Sequence, residues 1–465
     1  MSTEWWRLSA VELGRAIATG ETSAVEVAES HLERIEQVNG SLNAIVELRP
    51  DEVVAEAARA DRDLKSSGPR SALHGVPFTV KVNIDVRGYA TTEGVVAFAE
   101  RIAMSDAPAV EKMRAGGGVV LGRTNMPDFG LRIHTDSSLH GLTKNPWDSS
   151  VTAGGSSGGE GAAIASGQSP LGLGNDIGGS VRNPAYCNGI ASIKPGVGRI
   201  PEGNETSLLP RLMHQQLLLQ QGVMARDIRD VRAGLQVAMG SHPRDPLAVD
   251  LPLDGPAVAR RVALVAEPAY GTTDPEVAEG VRRAGSALSD AGYEVEEVEI
   301  PAFFETMLTW SELITAGGMI FAEQSQPLMG EGGRRFLDLT GGLFPAPTHE
   351  SVQLAFAAFE QAFTTWNAFM LQYPYIVGPV WTHRPFTHGF DIESPESALK
   401  VIETFRFVLP ANLFGLPAAC VPTGVINGLP TGIQVITRRL REDLALNAAE
   451  AIQDAWGIIT PIDPR

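Results

Sequence analysis

Apolar and polar positions along this chain change period from block to block, and each block predicts an element. Ser9 is followed three residues on by Glu12, and Ser23 by Glu26. Each pair is a capping box and predicts the start of a helix. The second helix carries Val27, His31, Ile35 and Val38 at helical spacing, and its pattern predicts a stop at Asn39-Gly40. Residues 51–65 read as a third, alanine-rich helix. Apolar runs at 76–84 and 118–122 predict buried strands, with a short helix over 107–115 between them. The stretch 145–200 is rich in glycine; within it, 162–167 predicts a small-residue helix and 171–176 a buried strand entering a turn. Residues 241–256, rich in Pro and Asp, predict a surface linker. Strand 261–265, helix 275–291 and strand 293–300 then form a β-α-β unit, which predicts an α/β protein. From 303 to 390 aromatics are frequent. Phe356, Phe359, Phe363, Trp366 and Phe369 or Met370 recur every three or four residues and make one helix face. That face reads first as core; its functional alternative is the lining of an apolar acyl pocket.

Composition narrows the classes. With 43% hydrophobic and 20% charged residues over 465 positions, the chain can bury a large core, which excludes disorder. A formal net charge of −18 argues against nucleic acid or an anionic membrane surface as a partner. Cys187 and Cys420 could make one bridge at most, so a reducing cytoplasm is the expected compartment. The segment from Met1 to Trp6 lacks a basic stretch followed by an apolar one, so no signal peptide is expected. No apolar stretch approaches membrane-spanning length, and no membrane partner is expected.

Lys81 interrupts the apolar run 76–84. Burying an unpaired ammonium is costly enough that such a lysine tends to shed its proton. The chain has six lysines, and the other five show no comparable setting. Two serines lie downstream in glycine-rich turns, Gly154-Gly155-Ser156-Ser157-Gly158-Gly159 and Asp176-Ile177-Gly178-Gly179-Ser180. A neutral lysine and two serines make a complete nucleophile and proton-transfer set. Ser180 could attack a carbonyl while Ser156 passes its proton to Lys81 and returns it to the leaving amine. The glycines of the second turn allow successive N–H groups to converge on one oxyanion. The plain alternatives are a snorkelling strand-end lysine and glycine turns that merely punctuate the chain.

Other motifs compete less well. Gly154-Gly155-Ser156-Ser157-Gly158 matches a nucleophile elbow, and His214, His242, His349, His383 and His388 follow it, so sequence order admits a Ser-His-Asp hydrolase. The residues before it, Pro146-Trp147-Asp148-Ser149-Ser150, read as a turn, whereas an elbow follows a strand. Gly172, Gly174 and Gly178 are one residue off the dinucleotide spacing. Ser397-Ala398-Leu399-Lys400 matches S-x-x-K without its companion motifs and reads as an exposed helical turn. His134, Asp136 and His140 are too loosely spaced to predict a metal site.

Several segments together resemble the amidase signature family. They are Gly75-Val76-Pro77-Phe78-Thr79-Val80-Lys81, Thr124-Asn125-Met126-Pro127-Asp128-Phe129, Lys144-Asn145-Pro146-Trp147-Asp148, the two serine turns with Val181-Arg182, Gly189-Ile190-Ala191-Ser192-Ile193-Lys194-Pro195, Gly222-Val223-Met224-Ala225-Arg226 and Asn412-Leu413-Phe414-Gly415-Leu416-Pro417. They span the chain in family order, with the two serines 24 residues apart as in the family. The resemblance implies Ser180 as nucleophile, Ser156 as the bridging serine after a cis peptide bond, and Lys81 as the final base. It implies oxyanion donors at Ile177, Gly178, Gly179 and Ser180, and supporting roles for Ser157, Asp176 and Arg182. It implies an α/β fold with one α/β/α domain over 1–465 around a large twisted mixed β-sheet. Within that domain, 1–65 would be an N-terminal helical region, 75–230 the catalytic core, and 260–465 would complete the sheet and the substrate pocket. It implies a small amide as partner, no metal or organic cofactor, and a homodimer as a possible assembly.

One region departs from the commonest family pattern: Gly196-Val197-Gly198-Arg199-Ile200-Pro201-Glu202-Gly203-Asn204, then a Leu- and Gln-rich stretch to Gln221. The departure turns the expectation from the amidotransferase subunit of the family toward its small-amide hydrolases on aromatic or aliphatic acyl groups, the indoleacetamide hydrolases among them. An amidotransferase subunit releasing ammonia from glutamine, and a catalytically silent scaffold of the same fold, are the rival expectations.

Overall fold

Alternating side chains decide the architecture. In the strand Arg261–Leu264, Val262 and Leu264 enter one core and Ala263 enters another. In Tyr375–Pro379, Tyr375 and Val377 oppose Ile376 in the same way, and in Ala418–Ile426 Ala419 and Val421 oppose Ala418 and Cys420. Strands buried on both faces require helices on both sides. The computed structural model, which describes residues 4–343 and 345–465, shows that arrangement as an α/β/α sandwich. Residues 1–3, on which part of the signal-peptide reading falls, lie outside the described residues.

Eleven strands form the sheet: β1 (Ile45–Glu47), β2 (Pro77–Lys81), β3 (Val119–Thr124), β4 (Leu171–Asp176), β5 (Ala191–Lys194), β6 (Gln220–Ala225), β7 (Arg261–Leu264), β8 (Glu294–Glu297), β9 (Tyr375–Pro379), β10 (Ala418–Ile426) and β11 (Leu429–Thr437). Their order across the sheet is β1-β3-β2-β4-β6-β5-β10-β11-β9-β7-β8. The sheet is mixed. β2 runs parallel to β3 and β4, β4 antiparallel to β6, and β7 and β8 parallel to each other as the β-α-β pattern predicts.

Both capping boxes are present at Ser9 and Ser23. The second helix runs to Leu42, past Asn39-Gly40, and Asn43 takes the left-handed cap at φ 54°. Asn39 does not end the helix because its side chain bonds Ala44, Ile45 and the Ile45 carbonyl, tying the helix to β1. The strand expected over 76–84 stops at Lys81. There the chain turns, Ile84 N–H donating to the Lys81 carbonyl at 3.0 Å. Buried Arg123 caps the turn by donating to the carbonyls of Val80, Lys81 and Ile84 at 3.3, 3.1 and 2.6 Å. Lys81 thus ends β2 and Asp176 ends the neighbouring parallel strand β4. Their carboxyl ends open on one side of the sheet, where α/β folds place their ligand sites.

Among the described residues no helix is long and apolar enough to cross a membrane. Cys187 and Cys420 are buried, free thiols.

Candidate active site

Lys81 is fully buried on the strand face opposite Phe78 and Val80. Its Nζ donates to Ser156 Oγ at 2.7 Å and to Asn175 Oδ1 at 2.8 Å. Burial lowers its pKa from 10.5 to about 7 against the opposing pull of Glu93, Asp176 and Glu160, so the neutral amine is well populated at neutral pH. Asn175 Nδ2 in turn donates to Asn83 Oδ1 at 3.1 Å.

The serine turns are held by close backbone packing. The Gly155–Ser156 peptide bond is cis. A Cβ on Gly155 would stand 2.6–2.8 Å from the backbone of residues 132–134, so only glycine fits there. The helix Gly158–Ala165 begins immediately after this turn. Beyond β4, Gly179 has φ 95°, and a Cβ there would collide with Asn183 Oδ1. The turn ends at Ser180, 5% exposed, ahead of the helix Arg182–Asn188.

Asp176 organises this turn. Its carboxylate accepts from Gly179 N–H at 2.8 Å, Val181 N–H at 3.2 Å, Arg182 Nε and Nη2 at 3.0 Å each, and Asn412 Nδ2 at 2.9 Å. Burial opposes its charge, but the Arg182 guanidinium holds the carboxyl well below its ordinary range. The Gly179 amide is thus engaged by Asp176. The amides of Ile177, Gly178 and Ser180 have no acceptor among the described residues. Ser157 N–H donates to the Ser180 carbonyl at 3.2 Å, and its buried hydroxyl has no partner among the described residues.

Ser156 and Ser180 line the same cavity, of about 270 Å³, just under the roughly 300–1,000 Å³ usual for ligand sites. No hydrogen bond joins the two hydroxyls among the described residues. Apolar walls come from Phe129, Ile177, Trp310, Ile314, Phe321 and Phe405, and polar ones from Glu93, Glu202, Arg211 and Gln221. Glu93 and Phe129 have φ near +50°, and Phe129 N–H donates to the Glu93 carbonyl at 2.8 Å. Glu93 is pushed up to about 7, first by burial.

Several expectations are corrected. Lys81 is not unique in its setting: Lys194 ends β5, is fully buried, is lowered to about 7 by burial, and donates to the Pro195 carbonyl at 2.8 Å. Its amine faces a carbonyl, with no serine bonded to it among the described residues. The aromatic face of the helix His349–Gln372 packs as core, as its first reading has it, and its alternative as a lining of the serine cavity falls away. Trp366 and Met370 are buried, Phe359 and Phe363 pack on Phe414, and Phe356 borders a separate groove. The apolar wall is supplied instead by Trp310, Ile314 and Phe321 of the helix Phe303–Ser325, with Phe129 and Phe405. Ser397 is buried in a reciprocal cap with Ser394, where an exposed turn was expected. No histidine bonds Ser156 or Ser180 among the described residues; His134 Nδ1 pairs with Thr152 Oγ1 at 2.9 Å, and His140 with Thr92. Sequence reasoning passed over Asn175, Asn412, Glu93 and most of the cavity wall. The available signal was the unusual segment 196–221, which forms one side of the cavity.

The family model described as Amidase matches residues 26–446. An indoleacetamide hydrolase of Bradyrhizobium diazoefficiens is 41% identical over 463 residues, covering 98% of this chain and 87% of that protein. An acylamidase of Rhodococcus erythropolis is 32% identical over 476 residues, covering 98% and 97%. The structure of a 6-aminohexanoate cyclic dimer hydrolase in complex with substrate superposes with a TM-score of 0.84 at 25% identity, covering 98% of each chain.

Proposed function

The chain belongs to the amidase signature family of amide hydrolases, and from that premise we propose that it cleaves the C–N bond of a small carboxamide with an apolar or aromatic acyl group. Ser180 Oγ attacks the carbonyl carbon. Its proton passes to Ser156, whose own proton goes to the lone pair of neutral Lys81. The oxyanion meets the free amides of Ile177, Gly178 and Ser180, and one such donor is worth roughly 2.7–4 kcal/mol in a well-studied enzyme. The ammonium of Lys81 returns a proton through Ser156 to the leaving nitrogen, the C–N bond breaks, and Ser180 keeps the acyl group. Water then attacks the ester through the same relay and releases the carboxylate.

The observation that carries this reading is the 2.7 Å contact between a buried amine and Ser156, in a cavity that Ser180 shares beneath free amides. Transfer requires Ser156 and Ser180 to approach within about 2.6–3.2 Å, as catalytic contacts commonly do once substrate is bound. The acyl preference is supported by the aromatic wall and by the indoleacetamide hydrolase and acylamidase relatives.

Two measurements test the reading. A fluorophosphonate should label Ser180, located by peptide mass; a label on Ser156 would overturn the assignment of the nucleophile. A screen of indole-3-acetamide, phenylacetamide, anilides and L-glutamine should show turnover of the aromatic amides by the chain alone. Turnover confined to glutamine would favour the amidotransferase reading.

A further inference from the structure

The serine cavity has two sides. On one, the nucleophile turn packs on aromatics: a Cβ at Gly178 would stand 3.2 Å from the Trp310 ring, and Trp310 Nε1 donates to the Ile177 carbonyl at 3.3 Å. On the amide-hydrolase reading the acyl group stays on Ser180 and belongs to this side. On the other, a Cβ at Gly130, where φ is 69°, would stand 3.2 Å from Ser156 Oγ. Ser156 hands the proton to the leaving nitrogen, so the leaving group belongs here. Glu93 is built into this second side. Its carbonyl accepts from the N–H of Phe129, the residue before Gly130, at 2.8 Å. Glu93 and Phe129 both hold left-handed backbones, with φ 50° and 52°. A non-glycine residue in that region costs of order 1–3 kcal/mol and persists where its surroundings fix it. Gly94 helps to fix it, donating N–H to Thr92 Oγ1 at 3.3 Å and accepting from Leu139 N–H at 3.1 Å.

The Glu93 side chain is half-buried and lines the cavity, neither of its carboxylate oxygens is sealed from solvent, and no ion pair holds it among the described residues. It closes a polar line that starts at the relay. Lys81 Nζ donates to Asn175 Oδ1, Asn175 Nδ2 donates to Asn83 Oδ1 at 3.1 Å, and the Asn83 side chain supports the Glu93 charge. Of the charged groups acting on Lys81, Glu93 is the strongest. A carboxylate in this place is an acceptor for whatever nitrogen or oxygen stands beside Ser156. For the C–N bond to break, the nitrogen lone pair must point at Ser156, and an acceptor on one of its N–H groups pins the nitrogen in that orientation. We propose that Glu93 accepts an N–H of the leaving nitrogen during acylation and an O–H of the attacking water during deacylation, orienting both against Ser156. Glu93 itself takes no proton. In acylation Ser156 protonates the nitrogen with the proton returned by Lys81, the C–N bond breaks and the amine departs. In deacylation water fills the vacated place and gives one proton to the Ser156–Lys81 relay while its other hydrogen stays bonded to Glu93. The ester bond then breaks as Ser180 Oγ retakes the relayed proton.

The inference rests on the amide-hydrolase reading, and its test separates the two. The probes are phenylacetamide and methyl phenylacetate, which share an acyl group while the ester's leaving oxygen carries no hydrogen. Both are assayed at pH 9, above the titration of Lys81 and Glu93, so that a shifted acid limb does not enter. In Glu93→Ala the amide-to-ester ratio of kcat/KM should fall by about tenfold to a hundredfold, the scale of a hydrogen bond to a charged group. Glu93→Gln keeps an acceptor oxygen and should lose less. Glu93→Asn tolerates the left-handed backbone but is one carbon too short, and should match the alanine variant. With 4-nitrophenyl phenylacetate, Glu93→Ala should release its first equivalent of nitrophenolate near the wild-type rate and then turn over about tenfold more slowly, because deacylation lacks its oriented water. An unchanged amide-to-ester ratio or an unchanged steady phase in the alanine and asparagine variants would overturn the inference while leaving the hydrolase reading intact. Failure of the wild type to hydrolyse any of the three probes would overturn the hydrolase reading, and the role of Glu93 with it.

Discussion

Lys81 should impose a steep acid limb on the rate. Its amine must be neutral to accept the proton from Ser156, and burial lowers its pKa from 10.5 to about 7. That displacement corresponds to roughly 5 kcal/mol against the ammonium in place. The sign is fixed by the role: activity is lost as pH falls through about 7, where the amine takes up its proton. The neutral fraction is about 0.1 at pH 6, about 0.5 at pH 7 and about 0.9 at pH 8, so kcat/KM should rise nearly tenfold across that interval. The charged groups acting on Lys81 are Glu93, Asp176 and Glu160. Glu160 is itself pushed up to about 7 by burial, with Thr79 and Thr124 donating to it, and Glu93 faces Lys81, Arg101 and Asp85. Glu93→Gln separates the candidates. Removing that negative charge destabilises the ammonium and should move the limb to lower pH by up to about one unit. The assay is chromatographic measurement of carboxylate released from indole-3-acetamide between pH 5.5 and 9. A flat profile from pH 6 to 8 would refute the neutral-lysine argument. A limb that vanishes in Glu93→Gln would transfer the titration to Glu93.

Lys81→Ala should lower amide hydrolysis by about a hundredfold to ten-thousandfold, the range for a positioned acid–base group, and ester hydrolysis by much less. An alkoxide leaves with less need of a delivered proton, and equal losses on matched amide and ester substrates would contradict the relay. Arg182→Leu leaves the Asp176 carboxylate buried without its cation and should cost about 3–5 kcal/mol in denaturant unfolding. A cost below about 1 kcal/mol would show that the Gly179, Val181 and Asn412 donors suffice alone.

Local pattern carried much of the fold because local physics dictates it. The capping boxes at Ser9 and Ser23, the β-α-β unit and the strand Leu171–Asp176 all follow from short-range hydrogen bonding and side-chain period. Element ends were less legible. The stop of β2 at Lys81 depends on Arg123, which comes from another strand, and the helix passing Asn39-Gly40 depends on bonds to β1. Lys194 was missed for the same reason: its burial comes from neighbouring strands, since local sequence gives Ile193 on one side and a proline on the other.

The candidate site divides along the same line. Sequence alone singled out Lys81, Ser156 and Ser180, because a lysine in an apolar run and serines among glycines are locally anomalous. Tertiary structure decided what surrounds them. It gave the Gly179 amide to Asp176 and left three amides free; it joined Asn175 to Lys81; and it built the wall from Trp310, Phe405, Glu202 and Gln221, which lie far apart in the chain. An anomalous residue announces itself through its neighbours in sequence, whereas a cavity is defined by side chains from separate elements, and their convergence exists only once the sheet has set its strand order.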